Sequence, residues 1–331
     1  MKESLGTGVT VPVCTPLTPF DQVDAASLRR LLDHLVSHGV HGVFVLGTSG
    51  EFGFLTDAQR AHVVTTTVDH VAGRIPVLVG ISDMASERAI EQARALLPLG
   101  AEGAVATAPY FAATGPLEMR EHFRRIKAAI GETPLFGYEN PPRVNDVSIP
   151  AQLVLDLAEE GTFAGFKDSS GDPEYLGELL RGRTERGLDE FRLMSGSETH
   201  AVDALRAGAD GLVPGLGNVF PAEYVELFET VSSDAEGADE LQARLRELFG
   251  IVRVPTRQEM GGSSRALGAF KAALRLLGVV DDDRCAPPSV VYDDIDRAEI
   301  ASLLVTHGVP VHHEPQGAGA LRSAEPSTLT S

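Results

Sequence analysis

Two hydrophobic rhythms alternate along most of this chain. Short β-branched runs occur at residues 9–15, 42–46, 77–80, 103–107, 135–138, 163–167, 192–195 and 211–214. Between them lie longer segments whose apolar residues recur every three or four positions. Leu28, Leu31, Leu32 and Leu35 form one such stripe, and Met119, Phe123, Ile126 and Ile130 form another, the spacing of helices that bury one face. Eight strands, each followed by a helix, predict an α/β protein with a parallel sheet, closed as a (β/α)8 TIM barrel. An open doubly wound sheet is the alternative. The stretch Val13-Cys14-Thr15-Pro16-Leu17 after the first strand lacks the glycines with which such sheets approach a dinucleotide, which favours the barrel.

After Pro221 the strand rhythm stops. Helical segments are expected at 223–231 and 241–252, followed by a stripe of Leu267, Phe270, Leu274 and Leu277. The expected organisation is therefore a catalytic barrel over 1–220, a helical region over 221–310 and a tail over 311–331. The tail is rich in His, Pro, Gly, Ser and Thr and is expected to be disordered, since it has too little apolar surface to offset the entropy of ordering. His312 and His313 fit a solvated tail better than a metal tract.

Composition narrows the function classes. The 331 residues are 43% hydrophobic, enough for a large core, and carry 28 basic against 47 acidic residues, a net charge of −19. Such a charge repels nucleic acid and anionic membranes, so neither is an expected partner. The apolar runs at 42–46 and 76–80 are far shorter than the roughly 20 residues of a membrane helix. Met1-Lys2-Glu3-Ser4 has no apolar signal core, and Cys14 and Cys285 are too few for a disulfide framework, which together fit a reducing cytoplasm. Cys14 sits among apolar residues and reads as packing. His34, His38 and His41 resemble a metal cluster, but they precede the second strand and so belong to the end of a barrel opposite its active site.

The chain has four lysines, Lys2, Lys127, Lys167 and Lys271. Lys2 is terminal. Lys127 and Lys271 adjoin apolar stripes, where a stem can lie on the core with its ammonium in water. Lys167 ends the strand Phe163-Ala164-Gly165-Phe166-Lys167. Alternation puts Phe163, Gly165 and Lys167 on the inner face, with space left by Gly165, and Ala164 and Phe166 toward the helices. Desolvation there would favour a neutral amine able to attack a carbonyl, chemistry denied to arginine. The residues alone equally allow an ion pair of Lys167 with Asp168 or Asp172. Tyr138 ends the neighbouring strand, roughly 5 Å away, where its phenol could relay protons. Gly47-Thr48-Ser49-Gly50-Glu51 follows the second strand and offers hydroxyls and approachable N–H groups to a carboxylate.

Five segments, taken in order, resemble the dihydrodipicolinate synthase and N-acetylneuraminate lyase superfamily of class I aldolases. They are Thr15-Pro16-Leu17-Thr18-Pro19-Phe20, the Gly47 to Glu51 loop, Pro109-Tyr110-Phe111, Tyr138-Glu139-Asn140-Pro141-Pro142-Arg143, and Gly165-Phe166-Lys167-Asp168-Ser169-Ser170-Gly171-Asp172. The resemblance implies a barrel with a C-terminal helical region, assembled as a homotetramer or homodimer. It implies Lys167 as the lysine that forms a Schiff base with pyruvate or a related 2-oxo acid, Tyr138 as proton relay, and Thr48 with Ser49 as carboxylate binders, with no metal or nucleotide cofactor. Arg143 matches the position that binds the carboxylate of an aldehyde partner, and Gly196, in Ser195-Gly196-Ser197-Glu198, belongs to the loops that shape the second substrate's pocket.

One departure stands out. Phe111 replaces the tyrosine that commonly completes a proton relay through a neighbouring subunit, leaving Tyr110 or water to substitute. The expected activity is a carbon–carbon lyase or aldolase acting on a hydroxylated or aromatic 2-oxo acid. Dihydrodipicolinate synthase itself, a sugar-acid dehydratase, and a non-catalytic keto-acid-binding protein are the alternatives.

Overall fold

A computed structural model describes residues 5–254 and 260–312. Eight parallel strands close into a barrel in chain order: β1 (Gly8–Pro12), β2 (Gly42–Val45), β3 (Val77–Gly80), β4 (Gly103–Thr107), β5 (Leu135–Glu139), β6 (Gly165–Asp168), β7 (Arg192–Ser195) and β8 (Gly211–Leu212). The helices α1 (Ala25–Ser37), α2 (Asp57–Val71), α3 (Ser86–Leu96), α4 (Pro116–Ile130), α5 (Ala151–Glu159), α6 (Pro173–Glu185), α7 (Ala201–Arg206) and α8 (Pro221–Ser232) surround it. The molecule is thus a TIM barrel, followed by α9 (Ala238–Leu248), α10 (Gly262–Leu276) and α11 (Asp294–Thr306).

Side-chain caps start several of the helices. Asp24 accepts hydrogen bonds from the N–H groups of Ala26 and Ser27, and Thr56 with Gln59 forms a capping box before α2. The stripe Leu28, Leu31, Leu32 and Leu35 is fully buried between α1 and the sheet, contributing about 1.5–3 kcal/mol per side chain relative to exposure. α8 packs against α7 and β1, closing the outer ring.

The barrel interior is a separate apolar layer containing Leu5, Phe44, Leu78, Val105, Phe136, Tyr138, Met194 and Val213. Gly165 makes that layer possible, because a Cβ there would lie 2.4 Å from the Phe136 ring. Phe163 corrects the expected alternation. It precedes β6 and packs in the outer layer, with ring centroids 4.8 Å from Phe123 and 6.0 Å from Phe166. Phe166 does face the helices as expected, and Lys167 faces inward.

The helix α11 has no counterpart in the sequence reading. Its apolar residues do not segregate onto one side, since Ile295 and Val305 are exposed while Ile300 and Leu304 are buried. Its start is marked instead by a capping box of Asp293 and Asp296. Beyond it, the His312 N–H bonds the Leu276 carbonyl. The rest of the expected tail, His313 included, lies outside the described residues.

Candidate active site

Strand register brings the principal residues together. Tyr138 and Lys167 are direct neighbours across β5 and β6, and both side chains turn inward at the C-terminal ends of their strands. Lys167 is 5% exposed. Its Nζ donates to Ser169 Oγ at 2.6 Å and lies over the Tyr138 ring, 3.7 Å from the centroid. No carboxylate among the described residues forms an ion pair with it. Asp168, which competes for Lys167 in the sequence reading, points away and accepts the Ser170 N–H.

The Tyr138 hydroxyl shares a hydrogen bond of 3.1 Å with Thr48 Oγ1 and accepts one of 2.7 Å from Asn140 Nδ2. Burial alone would raise the phenol's pKa. The Lys167 ammonium and the Thr48 hydrogen bond outweigh it and bring the group below the usual tyrosine range. A phenol so placed can lose and regain a proton beside the amine.

A cavity of about 220 Å³ opens above this pair. Lys167, Tyr138, Thr48, Ser49, Arg143 and Gly196 all line it, as do residues of α10. Ser49 is buried at 9% exposure, whereas Arg143 is exposed at the mouth, in a 3₁₀ turn over Pro141–Arg143. Gly196 acts by what it lacks: an added Cβ would sit 2.0 Å from Ser169 Oγ and 3.0 Å from Lys167 Nζ. Tyr110 is placed differently. It lines an adjoining cavity with Thr48 and Arg143, its ring against Phe52, and makes no direct bond to Tyr138. The Thr48 to Tyr138 bond needs no intermediary, so in this chain an intervening tyrosine is not required to connect them. Phe111 is 79% exposed.

Two acids were not assigned roles from the sequence. Glu198 lines the main cavity, with Oε1 accepting the Gly215 N–H at 2.9 Å. Burial raises its pKa above the usual carboxyl range, against the pull of Lys167. Glu139, outward-facing beside Tyr138, accepts from Ser148 Oγ at 2.6 Å and the Ile149 N–H at 3.0 Å. Burial pushes its carboxyl up to about 7. The sequence signal for both is their place in the segments 138–143 and 195–198, at or just past the C-terminal ends of barrel strands.

Lys271 corrects another expectation. Its ammonium is not in water: the side chain is 1% exposed, ion-paired with Glu51, and donates to the Arg284 carbonyl at 2.8 Å. Lys127 donates to the Thr133 carbonyl at 3.0 Å. At the opposite end of the barrel, His34 and His38 pack edge to face, while His41 Nδ1 accepts the Val9 N–H. Among the described residues, no three His, Cys, Asp or Glu side chains gather as metal ligands, and no helix is long and apolar enough to cross a membrane.

Comparison with known proteins bears directly on this site. A model of the dihydrodipicolinate synthetase family matches residues 6–306. A DapA-like lyase of Halobacterium salinarum is 34% identical over 286 residues, covering 84% of this chain and 91% of its own. Dihydrodipicolinate synthase from Bacteroides thetaiotaomicron has a structure that superposes with a TM-score of 0.83 at 31% identity, covering 91% of this chain and 98% of that one. YagE, a prophage protein of the dihydrodipicolinic acid synthase family from E. coli K12 solved in complex with pyruvate, superposes with a TM-score of 0.85 at 25% identity over 92% and 99% of the two chains.

Proposed function

We propose that this chain, which belongs to the dihydrodipicolinate synthetase family and is a lyase, holds a 2-oxo acid as an imine on Lys167 and makes or breaks a carbon–carbon bond next to it. The observation that carries this reading is the pairing of a cavity-facing lysine, free of any carboxylate partner among the described residues, with a phenol whose proton affinity is lowered. The neutral Lys167 amine adds to the C2 carbonyl of pyruvate. Loss of water from the carbinolamine leaves the imine, and removal of a C3 proton gives an enamine that attacks an aldehyde. In the cleavage direction the same steps run backward. Tyr138 carries protons to and from these intermediates, with Thr48 and Asn140 holding its hydroxyl in place.

Thr48 and Ser49 bind the 2-oxo acid carboxylate, and the lysine imine supplies the electron sink without a metal or nucleotide. Glu198, whose carboxyl pKa is raised by burial, lines the cavity and can hydrogen-bond a hydroxyl of the partner substrate. That supports a hydroxylated substrate. The structure of YagE with pyruvate supports pyruvate as the first substrate. A homo-oligomer in the cytoplasm is the setting we infer for it.

A second reading, the dihydrodipicolinate synthase reaction, is favoured by Arg143 at the cavity mouth, where a guanidinium could bind the carboxylate of aspartate semialdehyde. Borohydride reduction in the presence of pyruvate tests the shared chemistry. The expected result is a stable adduct mapping to Lys167; absence of adduct at saturating pyruvate would remove the imine mechanism. Efficient condensation with aspartate semialdehyde would select the synthase reading.

A further inference from the structure

The loop that presents Thr48 and Ser49 is tightly wound. Leu46 and Glu51 adopt φ of 57° and 60°, left-handed values that non-glycine residues rarely hold without support. The Glu51 N–H closes the turn onto the Thr48 carbonyl at 3.0 Å. β3 approaches so closely that a Cβ on Gly80 would fall 1.9 Å from the Leu46 carbonyl oxygen. The support for the Glu51 end comes from far along the chain. One carboxylate oxygen pairs with Lys271 of α10, and the other accepts the Ala286 N–H. Lys271 in turn donates to the Arg284 carbonyl at 2.8 Å.

The pair is sealed, with side chains 1% and 0% exposed. Burial alone would lower the Lys271 pKa, but Glu51 overrides it and holds the ammonium above its ordinary range. The other titratable groups coupled to this pair are the thiols of Cys14 and Cys285, which burial pushes well above their usual range, to about 12 for Cys285. Both thiols stay neutral. Among the described residues, Glu51 is the carboxylate paired with Lys271. The same helix presents Ala266, Leu267 and Phe270 to the cavity.

We propose that the buried Lys271–Glu51 pair is the positioning device of the 2-oxo acid's carboxylate loop, by which the C-terminal helical region sets substrate affinity without touching substrate. The inference rests on the function proposed above. Replacing a buried ion pair with neutral groups of similar size commonly preserves a fold, but here it also removes the Lys271 contact, one of the two that hold the Glu51 side chain and with it the left-handed end of the loop. Thr48 and Ser49 then lose their fixed alignment toward a carboxylate, while Lys167 keeps its contacts with Ser169 and the Tyr138 ring.

The test is the double variant Lys271→Met/Glu51→Gln, read by the rate of borohydride-trapped adduct formation across a range of pyruvate concentrations. The expected result is a rise of about tenfold in the half-saturating pyruvate concentration, equivalent to the loss of one or two hydrogen bonds, with a smaller loss of limiting rate through the Thr48 bond to Tyr138. Unchanged half-saturation in the folded variant overturns the proposal, and so does a fall in limiting rate alone. If the double variant fails to fold, Glu51→Gln carries the same readout, since glutamine keeps the size and the acceptor for Ala286. Unmodified protein that forms no adduct fails one step earlier, at Lys167, and takes both readings down.

Discussion

Lys167 and Lys271 are both buried lysines beside the same cavity, at 5% and 1% exposure, yet they are put to opposite uses. Lys271 is enclosed, with a carboxylate and a carbonyl as partners; its proton is held tightly and no ketone can reach it. Lys167 opens onto the cavity, contacts a serine hydroxyl and an aromatic face, and pairs with no carboxylate among the described residues. Burial by itself therefore does not make a nucleophile. What matters is burial without a counter-ion, combined with access for a small carbonyl compound.

That contrast can be broken most decisively at Lys167. Lys167→Arg is expected to keep the fold and charge while abolishing adduct formation and lowering turnover by at least about 10³-fold, because a guanidinium does not form the imine. Turnover within tenfold of the unmodified protein would show that the covalent role lies elsewhere. Lys271→Met is expected to lower stability by about 3–5 kcal/mol, because Glu51 is left buried without its ion-pair partner. Lys167→Met, which strands no partner charge, is expected to cost far less. Chemical denaturation of the two variants side by side checks this difference, and equal losses would erase the distinction.

Gly196→Ala sharpens the picture from the Lys167 side. The methyl group must displace Ser169 or the amine itself, so adduct formation is expected to slow by about 10- to 100-fold, a cost of about 1.4–2.7 kcal/mol in alignment. A normal rate would mean the loop yields freely.

Glu139 supplies an intermediate case, a buried carboxyl with hydrogen bonds but no ion-pair partner among the described residues. Its folded-state pKa of about 7 lies above the ordinary 4.5. Between those values the folded protein keeps a proton that the unfolded chain has released. Stability therefore falls as pH rises through this window, and Asp168, also raised by burial, adds the same sign. Glu139→Gln is expected to flatten the pH dependence, with a gain of about 1–3 kcal/mol at pH 8 and little change at pH 4.5. Parallel melting curves from pH 4.5 to 8 decide it, and an identical slope in both proteins would contradict the assignment.

Much of the site was legible before any coordinates. A lysine and a tyrosine closing successive inward-facing strands must be neighbours in a parallel barrel, because ladder pairing aligns strand ends, and the register of Tyr138 with Lys167 follows from it. Thr48, Ser49, Arg143 and Gly196 also come to the cavity. Tyr110 does not reach the main cavity, since Phe52 holds its ring in the adjoining one. Phe163 was misplaced because alternation was extended two residues beyond the start of β6.

The sequence by itself determined the order of strands and helices and which residues stand at the strand ends, because these follow from local periodicity and from the pairing rules of a closed parallel sheet. The tertiary structure alone decided which buried charges have partners. Glu51 and Lys271 are 220 positions apart in sequence and meet only because α10 folds back over the barrel mouth. The ionic state of Lys271, like that of Glu139 and Glu198, depends on the desolvation and the partners that the tertiary fold supplies, and no local pattern encodes either.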